Sequence, residues 1–321
     1  MGGIGIVSNP RAARNRLHPE LGGRLARLLG DQGLARDAAT PDELARALEE
    51  MRDAGVDTLA VNGGDGTCHV VLTAAVAAWG GRPLPRLLVL RGGTMNTLAT
   101  NHGLRGGGEA LLAAELWRRR QGGPPVLVAR DLLRVAADGG APVFGFLFGT
   151  GAAVTFLARF YAAGRPTPLR AWLLVARAAG SALVGGPLGR SLMVRQPLRV
   201  ASDGDEWADQ AYLTLLAGTV PSIGLGFRAL SRAGEQPGFF HAVGVHGALA
   251  QVVRLLPRVH RGAPWRRRAA LDAVARSLTV EGEAIRFTVD GDLYGPVREL
   301  RLETGAAIRI LRPGARPPRS V

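Results

Sequence analysis

The chain has 321 residues, 47% of them apolar, with a mean hydropathy of +0.10 and a net charge of +14. That length is enough for two domains with cores of their own, and no run of about eighteen uncharged apolar residues marks a transmembrane helix. The charge points to an anionic partner: nucleic acid, a membrane surface or a phosphorylated substrate. All 40 basic residues are arginine, a bias that GC-rich coding produces as readily as anion binding does. Without lysine there is no Walker A lysine, Schiff base or lysine general base, so phosphate charge must be met by backbone N–H groups, arginine and metal. The single cysteine, Cys68, excludes an intrachain disulfide and a cysteine-based zinc cluster. The N-terminus lacks the basic segment of a signal peptide and runs straight into an apolar strand, which predicts a cytosolic protein.

Residues 3–8 are that strand, and it stops at Asn9-Pro10. Arg11, Arg14 and Arg16 follow, as a phosphate clamp or a solvated basic turn, before a helix with Leu21, Leu25 and Leu28 at helical spacing. Thr40-Pro41-Asp42-Glu43 is a helix start, with Thr40 as N-cap and Glu43 closing a capping box. The apolar run 57–61 then leads into Asn62-Gly63-Gly64-Asp65-Gly66-Thr67 and a helix-compatible run, 70–79. Glycines between a strand and a helix can take positive φ and let backbone approach an anion closely, and a helix N-terminus attracts phosphate, so this turn predicts a phosphate cradle. A glycine-rich αβ turn that binds nothing is the plainer alternative. Cys68 beside it reads as a small buried helix residue, with a reactive thiol as the alternative.

A second strand, 87–90, runs into Arg91-Gly92-Gly93-Thr94-Met95-Asn96-Thr97 and repeats the arrangement of strand, glycines, polar residue and helix. Two such turns at the carboxyl ends of parallel strands face one crevice, where open α/β sheets bind ligands. A helix over 108–121 ends in Arg118-Arg119-Arg120, where cations favour the helix dipole, and Gln121 to Pro125 then breaks the chain. The α/β pattern stops there, which sets the expected domains at 1–123 and 124–321.

The second half reads as mostly antiparallel β structure. Strand-like runs 126–136 and 142–148 flank Ala137-Asp138-Gly139-Gly140, and runs 191–201 and 208–217 flank Ser202 to Glu206. Runs 278–281, 284–289, 297–302 and 307–311 follow, the last a candidate to return to the first domain. Helical insertions at 169–183 and 249–256 carry Trp172 and Trp265 with arginines beside apolar faces. They are candidates for peripheral contact with an anionic bilayer, the alternative being packing on their own domain. Asp290-Gly291-Asp292 puts two carboxylates on one tight turn, for which a plain hairpin is the simplest explanation.

The motifs GGDGT at 63–67 and GGTMNTLA at 92–99, with Ser8-Asn9-Pro10 after the first strand, resemble the catalytic-domain family of diacylglycerol kinases, which includes bacterial lipid kinases and sphingosine and ceramide kinases. The resemblance implies a Rossmann-like α/β domain followed by an antiparallel β-sandwich, with the site between them, and ATP-dependent phosphorylation of a lipid hydroxyl. It implies that Asn9, Thr40, Gly63, Gly64, Asp65, Gly66, Thr67, Gly93, Thr94 and Asn96 contact nucleotide. Asp65 would bind Mg²⁺, directly or through water, or orient the acceptor hydroxyl. The family carries Asp-Gly-Glu near its C-terminus, its last carboxylate being the base that deprotonates the lipid hydroxyl; here that residue is Asp292, one methylene shorter, with Asp290 beside it.

Two departures from the family stand out. Cys68-His69-Val70 replaces the usual apolar residue and Asn-Glu, and Gln236-Pro237-Gly238 replaces an Asp-Gly that binds a structural Mg²⁺ in bacterial relatives, which puts that accessory metal in doubt. The alternatives are an NAD kinase, which shares a GGDGT turn, and a relative that binds nucleotide or lipid without catalysis. No nucleic-acid-binding motif accompanies the scattered arginines, so nucleic acid is not an expected partner.

Overall fold

The computed structural model describes residues 2–93, 96–164, 167–192, 194–208 and 210–313. The chain divides into two compact units, Met1–Arg130 with Ala306–Val321, and Asp131–Gly305. The chain break expected at 121–125 falls within the first unit, and the division comes at Arg130.

Unit 1 alternates strand and helix: β1 (Ile4–Ser8), α1 (Ala13–Leu17), α2 (Leu21–Leu29), β2 (Gly33–Asp37), α3 (Pro41–Asp53), β3 (Thr58–Asn62), α4 (Asp65–Trp79), β4 (Arg86–Val89), α5 (Thr97–Asn101) and α6 (Gly108–Arg120). Its strands pair in parallel in the order β4-β3-β1-β2. Every residue of β1 and β3 is buried, as strands covered on both faces must be. Ile4, Ile6, Ala60 and Leu88 form one core with Leu21, Leu25 and Leu29 of α2 and Leu111, Leu112 and Leu116 of α6. Gly5 points the other way, where a Cβ would come within 2.6 Å of Met51 Sδ, so α3 covers the opposite face. α3 starts as expected, with the reciprocal capping box of Thr40 and Glu43. Arg118 and Arg119 do more than serve the dipole of α6: both pair with Glu115, which is fully buried, and Arg119 reaches Asp57.

Unit 2 comprises the latter part of β5 (Val126–Ala137), β6 (Val143–Gly145), β7 (Leu147–Thr150), α7 (Ala152–Ala162), α8 (Pro168–Leu183), α9 (Pro187–Leu192), β8 (Gln196–Ser202), β9 (Asp205–Glu206), β10 (Gln210–Tyr212), β11 (Thr214–Gly218), β12 (Phe240–Val245), α10 (Leu249–His260), β13 (Ala270–Ala275), β14 (Ser277–Val289) and the first part of β15 (Asp292–Arg312). Its pairings are antiparallel. The period of two along β11 and β12 sorts side chains onto two cores. Leu215, Ala217, Phe240 and Ala242 face Leu198, Val200, Leu278, Val280 and Leu300, while Leu216, Val243 and Val245 face Val252, Leu255 and Val259 of α10. The run 191–201 is strand only from Gln196, because Pro187 opens the short helix α9. β15 ends in unit 1, where Ile310 pairs in parallel with Leu87 of β4.

No helix among the described residues is long and apolar enough to cross a membrane.

Candidate functional site

β1 has β2 on one side and β3 on the other, so the sheet of unit 1 changes its winding direction between β1 and β3. In open α/β sheets that switch point opens a crevice at the carboxyl ends of the strands. The loops there carry a closed polar cluster. Asn9 N–H donates to the carbonyl of Asn62, and Asn9 Nδ2 donates to Thr67 Oγ1 at 3.1 Å. Since Thr67 Oγ1 accepts that bond, its proton remains to donate elsewhere. Asn62 Nδ2 donates to Ser8 Oγ at 3.1 Å. Asn15, to which sequence reasoning assigned no role, is buried and spans both loops, its Nδ2 donating to the carbonyls of Asn9 (2.7 Å) and Asn62 (3.0 Å). Among the described residues, Asn15 Oδ1 and Asn62 Oδ1 are buried acceptors without a protein donor.

The two glycine turns touch backbone to backbone. A Cβ on Gly93 would stand 2.3 Å from Gly64 Cα, one on Gly92 would stand 2.8 Å from Gly63 N, and one on Gly63 would stand 2.4 Å from Thr67 Cβ. These distances are closer than any side chain allows. Positive φ is not the reason for these glycines: Gly63, Gly64, Gly66, Gly92 and Gly93 are absent from the left-handed positions, which here include Arg91 and Asn96. Of the two expectations, positive φ is therefore corrected, while the close approach is observed with the other turn as its neighbour. Gly64 is the N-cap of α4 and contributes no side chain, so the first N–H groups of α4 are left without a side-chain cap. Such an N-terminus favours an anion.

Asp65 lies in the first turn of α4 and ties it to the second glycine turn. Its Oδ2 accepts the N–H of Thr97 at 2.8 Å and its Oδ1 that of Leu98 at 3.1 Å, which caps α5. Burial raises its pKa from the ordinary carboxylate value, against the lowering by those N–H donors. Asn96 closes its own turn, with Oδ1 accepting from Gly93 N (3.2 Å) and Nδ2 donating to Gly93 O (2.9 Å). Thr40 is exposed, two residues beyond Ala38, whose N–H donates to Ser8 O, and its hydroxyl accepts from Glu43 N at 3.3 Å. Thr94 lies outside the described residues. Cys68 and His69 are both buried in α4.

The donor set of unit 1 fits a triphosphate: backbone N–H groups at the start of α4, the Thr67 hydroxyl and a glycine floor without side chains. Among the described residues no three His, Cys, Asp or Glu side chains converge to hold a metal ion. Asp65 is a single carboxylate at this place, with each oxygen already accepting an N–H. At the stretch 236–238, Gly238 N–H donates to Asp131 Oδ2 at 2.7 Å, and the Gly238 carbonyl accepts from Thr304 Oγ1 at 2.9 Å.

In unit 2 the two carboxylates of the 290–292 turn have different surroundings. Asp290 has φ 47°, and its Oδ2 accepts from Phe146 N at 3.0 Å and its Oδ1 from Leu147 N at 2.9 Å. Those bonds make it a tie between the β14–β15 turn and β7, and a Cβ on Gly145 would come within 2.6 Å of its Oδ2. Asp292 is half-buried at the first position of β15, opposite Val289. Nearby Tyr294 stacks on Phe287 at 5.1 Å and has its pKa pushed up to about 12, by burial first and then by the charges of Asp292 and Asp290. On the other side of the turn, Tyr161 of α7 donates its hydroxyl to Gly291 O at 3.0 Å.

A parallel sheet with a glycine-lined helix N-terminus at its switch point is the arrangement at which open α/β folds bind anionic ligands. Residues 4–123 match the diacylglycerol kinase catalytic domain. A crystal structure of a diacylglycerol kinase from Bacillus anthracis str. Sterne is similar over 99% of this chain and 98% of its own, at 16% identity and a TM-score of 0.62. Two further structures from the same organism align at TM-scores of 0.66 and 0.64 with 17% and 16% identity, covering 98% and 99% of this chain and 99% and 98% of theirs. At these identities the likeness is one of fold, which is the expected α/β domain followed by antiparallel β structure. No curated protein sequence matches the chain.

Proposed function

We propose that the chain is an ATP-dependent lipid kinase that transfers the γ-phosphoryl group of ATP to a hydroxyl of diacylglycerol or a related lipid. The observation that carries this reading is the backbone contact between the two glycine turns, which puts the uncapped start of α4, Thr67 and Asp65 at one place on the carboxyl edge of a sheet whose sequence matches the diacylglycerol kinase catalytic domain.

Phosphoryl transfer asks a protein mainly for in-line positioning and for neutralisation of phosphate oxygens. The N–H groups at the start of α4, the Thr67 hydroxyl and the backbone at Gly93 and Thr94 hold the phosphates. Asn9 orients Thr67 through the 3.1 Å bond to its hydroxyl. Gly63, Gly64 and Gly66 keep side chains out of the way. Thr40 and Asn96 act through the shape of their turns, since their side chains already serve local hydrogen bonds. Asp65 is the residue that would hold a Mg²⁺ ion accompanying the phosphates, which would supply charge neutralisation there. The lipid hydroxyl oxygen attacks the γ-phosphorus, the bond to the β–γ bridging oxygen breaks, and ADP leaves. The hydroxyl proton goes to the carboxylate of Asp292, while Asp290 holds the turn that presents it.

The test is an untargeted one: purified protein with Mg·ATP is incubated with a total lipid extract, and new phospholipids are read by mass spectrometry. A lipid gaining one phosphate is expected. ATP binding without any phosphorylated lipid would favour a non-catalytic binding protein, and phosphorylation of added NAD in its place would favour an NAD kinase.

A further inference from the structure

Helix α8 exposes large apolar side chains to water. Ala171 and Ala182 are buried, whereas Leu169, Trp172, Leu173 and Leu183 are 69%, 41%, 53% and 57% exposed, and Val184 at the helix end is 83% exposed. Ala176 and Gly180 are exposed as well, so positions 169, 172, 173, 176, 180, 183 and 184 form one outward stripe at helical spacing, apolar along its length. A contiguous apolar stripe on a surface calls for a cover. Trp172 is not a loose side chain, since its ring packs 5.5 Å from that of Phe227 and 5.6 Å from that of His260 in α10.

Charge decides what covers the stripe. Residues 139–202, which supply α7, α8 and α9, include seven arginines and not one of the 26 acidic residues of the chain; residues 236–271, which supply α10, include six arginines and again no acid. α8 and α10 pack on each other. α10 buries Val252, Leu255 and Val259 and leaves Arg254, Arg258 and Arg261 exposed. Among the described residues, Arg177, Arg254, Arg258 and Arg261 form no ion pair. Large apolar side chains on a helix packed against one that carries unpaired guanidinium groups match the layering of an anionic bilayer, with acyl chains below and phosphates above. Nucleic acid would satisfy the arginines and leave the stripe in water.

We propose that α8 together with the arginines of α10 is a docking face for a bilayer that contains anionic phospholipid. α7 packs on α8 and α9, and its Tyr161 holds the backbone of Gly291, so this face is one helix away from the turn that carries Asp292. The proposal deepens the lipid-kinase reading, and rests on it for what the bilayer delivers to Asp292.

Co-sedimentation of the full chain, without ATP, with vesicles of phosphatidylcholine alone or mixed with phosphatidylglycerol tests it. Binding at least about tenfold stronger to the mixed vesicles, weakening as salt is raised, is expected. Trp172→Ser with Leu173→Ser should lower binding about tenfold or more, and neutralising Arg258 to Gln about fivefold. Should the Trp172 variant unfold, Leu169→Ser with Val184→Ser, at the two most exposed positions, must produce the same loss. Equal binding to both vesicle types, unchanged binding by the folded variants, or capture of nucleic acid with no vesicle binding overturns the proposal. Phosphorylation of a water-dispersed short-chain diacylglycerol is measured separately: vesicle binding without it leaves the surface standing and sinks the kinase reading, and the reverse sinks the surface alone.

Discussion

Replacing Gly93 by alanine tests the contact on which the proposed nucleotide site depends. The added Cβ would stand 2.3 Å from Gly64 Cα, and its next neighbours, Gly64 N and Gly64 C at 3.3 and 3.4 Å, are also backbone, so no flexible side chain can yield. Restoring ordinary contact separates the turns by roughly 1 Å, a displacement that can cost about a hundredfold in a reaction governed by positioning. Overpacking of this kind costs about 1–3 kcal/mol of stability. Gly180→Ala is the internal control: a Cβ there meets nothing within 4 Å, and alanine in place of glycine in a helix interior stabilises by up to about 1 kcal/mol. Urea denaturation and calorimetric titration with ATP measure both substitutions, and opposite signs in stability are expected, with ATP affinity lost only in Gly93→Ala. A Gly93→Ala protein as stable as wild type, with undiminished ATP affinity, would refute the contact between the turns.

Asn15→Leu removes the two donors that join the carbonyls of Asn9 and Asn62; about 1–3 kcal/mol of stability should go, together with ATP affinity, as read by the same two measurements. His102 is buried, and burial, then Arg130 and Arg312, lower its pKa from 6.5 to about 3. Its neutral form belongs to the folded state, so its contribution is intact above pH 6.5 and is lost as pH falls from 6.5 towards 3, at up to about 1.4 kcal/mol per pH unit. His102→Gln should flatten the acid limb of a stability profile followed by denaturant titration at each pH. The two carboxylates of the 290–292 turn should separate: Asp290→Asn costs about 1–3 kcal/mol because it weakens charge-assisted bonds to Phe146 and Leu147 N–H, while Asp292→Asn leaves the unfolding midpoint in place and removes turnover.

The features legible in the sequence were those whose chemistry is local. Thr40 and Glu43 signal a capping box because both partners lie within one turn, and the glycine turns announce themselves by composition beside an apolar strand. The hidden features depend on pairing across the chain. β2 reads Gly-Leu-Ala-Arg-Asp and has no buried face of its own; it is a strand because β1 offers it an edge. β12 is buried throughout yet contains His241 and Gly244, which interrupt any apolar signal. Asn15 looks like a polar residue among arginines until Asn62, distant in sequence, arrives beside it. Asp65 and Asp290 were visible as carboxylates on turns, but their backbone partners, Thr97 with Leu98 and Phe146 with Leu147, come from other segments, so their structural duty was not readable. Gly63 was legible as a glycine that lets backbone approach closely, but its partner, the second turn, was not, since contact between two turns is a tertiary fact.

The most direct measurement is transfer of label from γ-labelled Mg·ATP to diacylglycerol and, in parallel, to NAD, by wild-type protein and by Asp292→Asn. Labelled lipid phosphate from the wild type alone, with NAD unlabelled, is the predicted result. Label that reaches NAD and no lipid, or lipid labelling that survives Asp292→Asn undiminished, would contradict it.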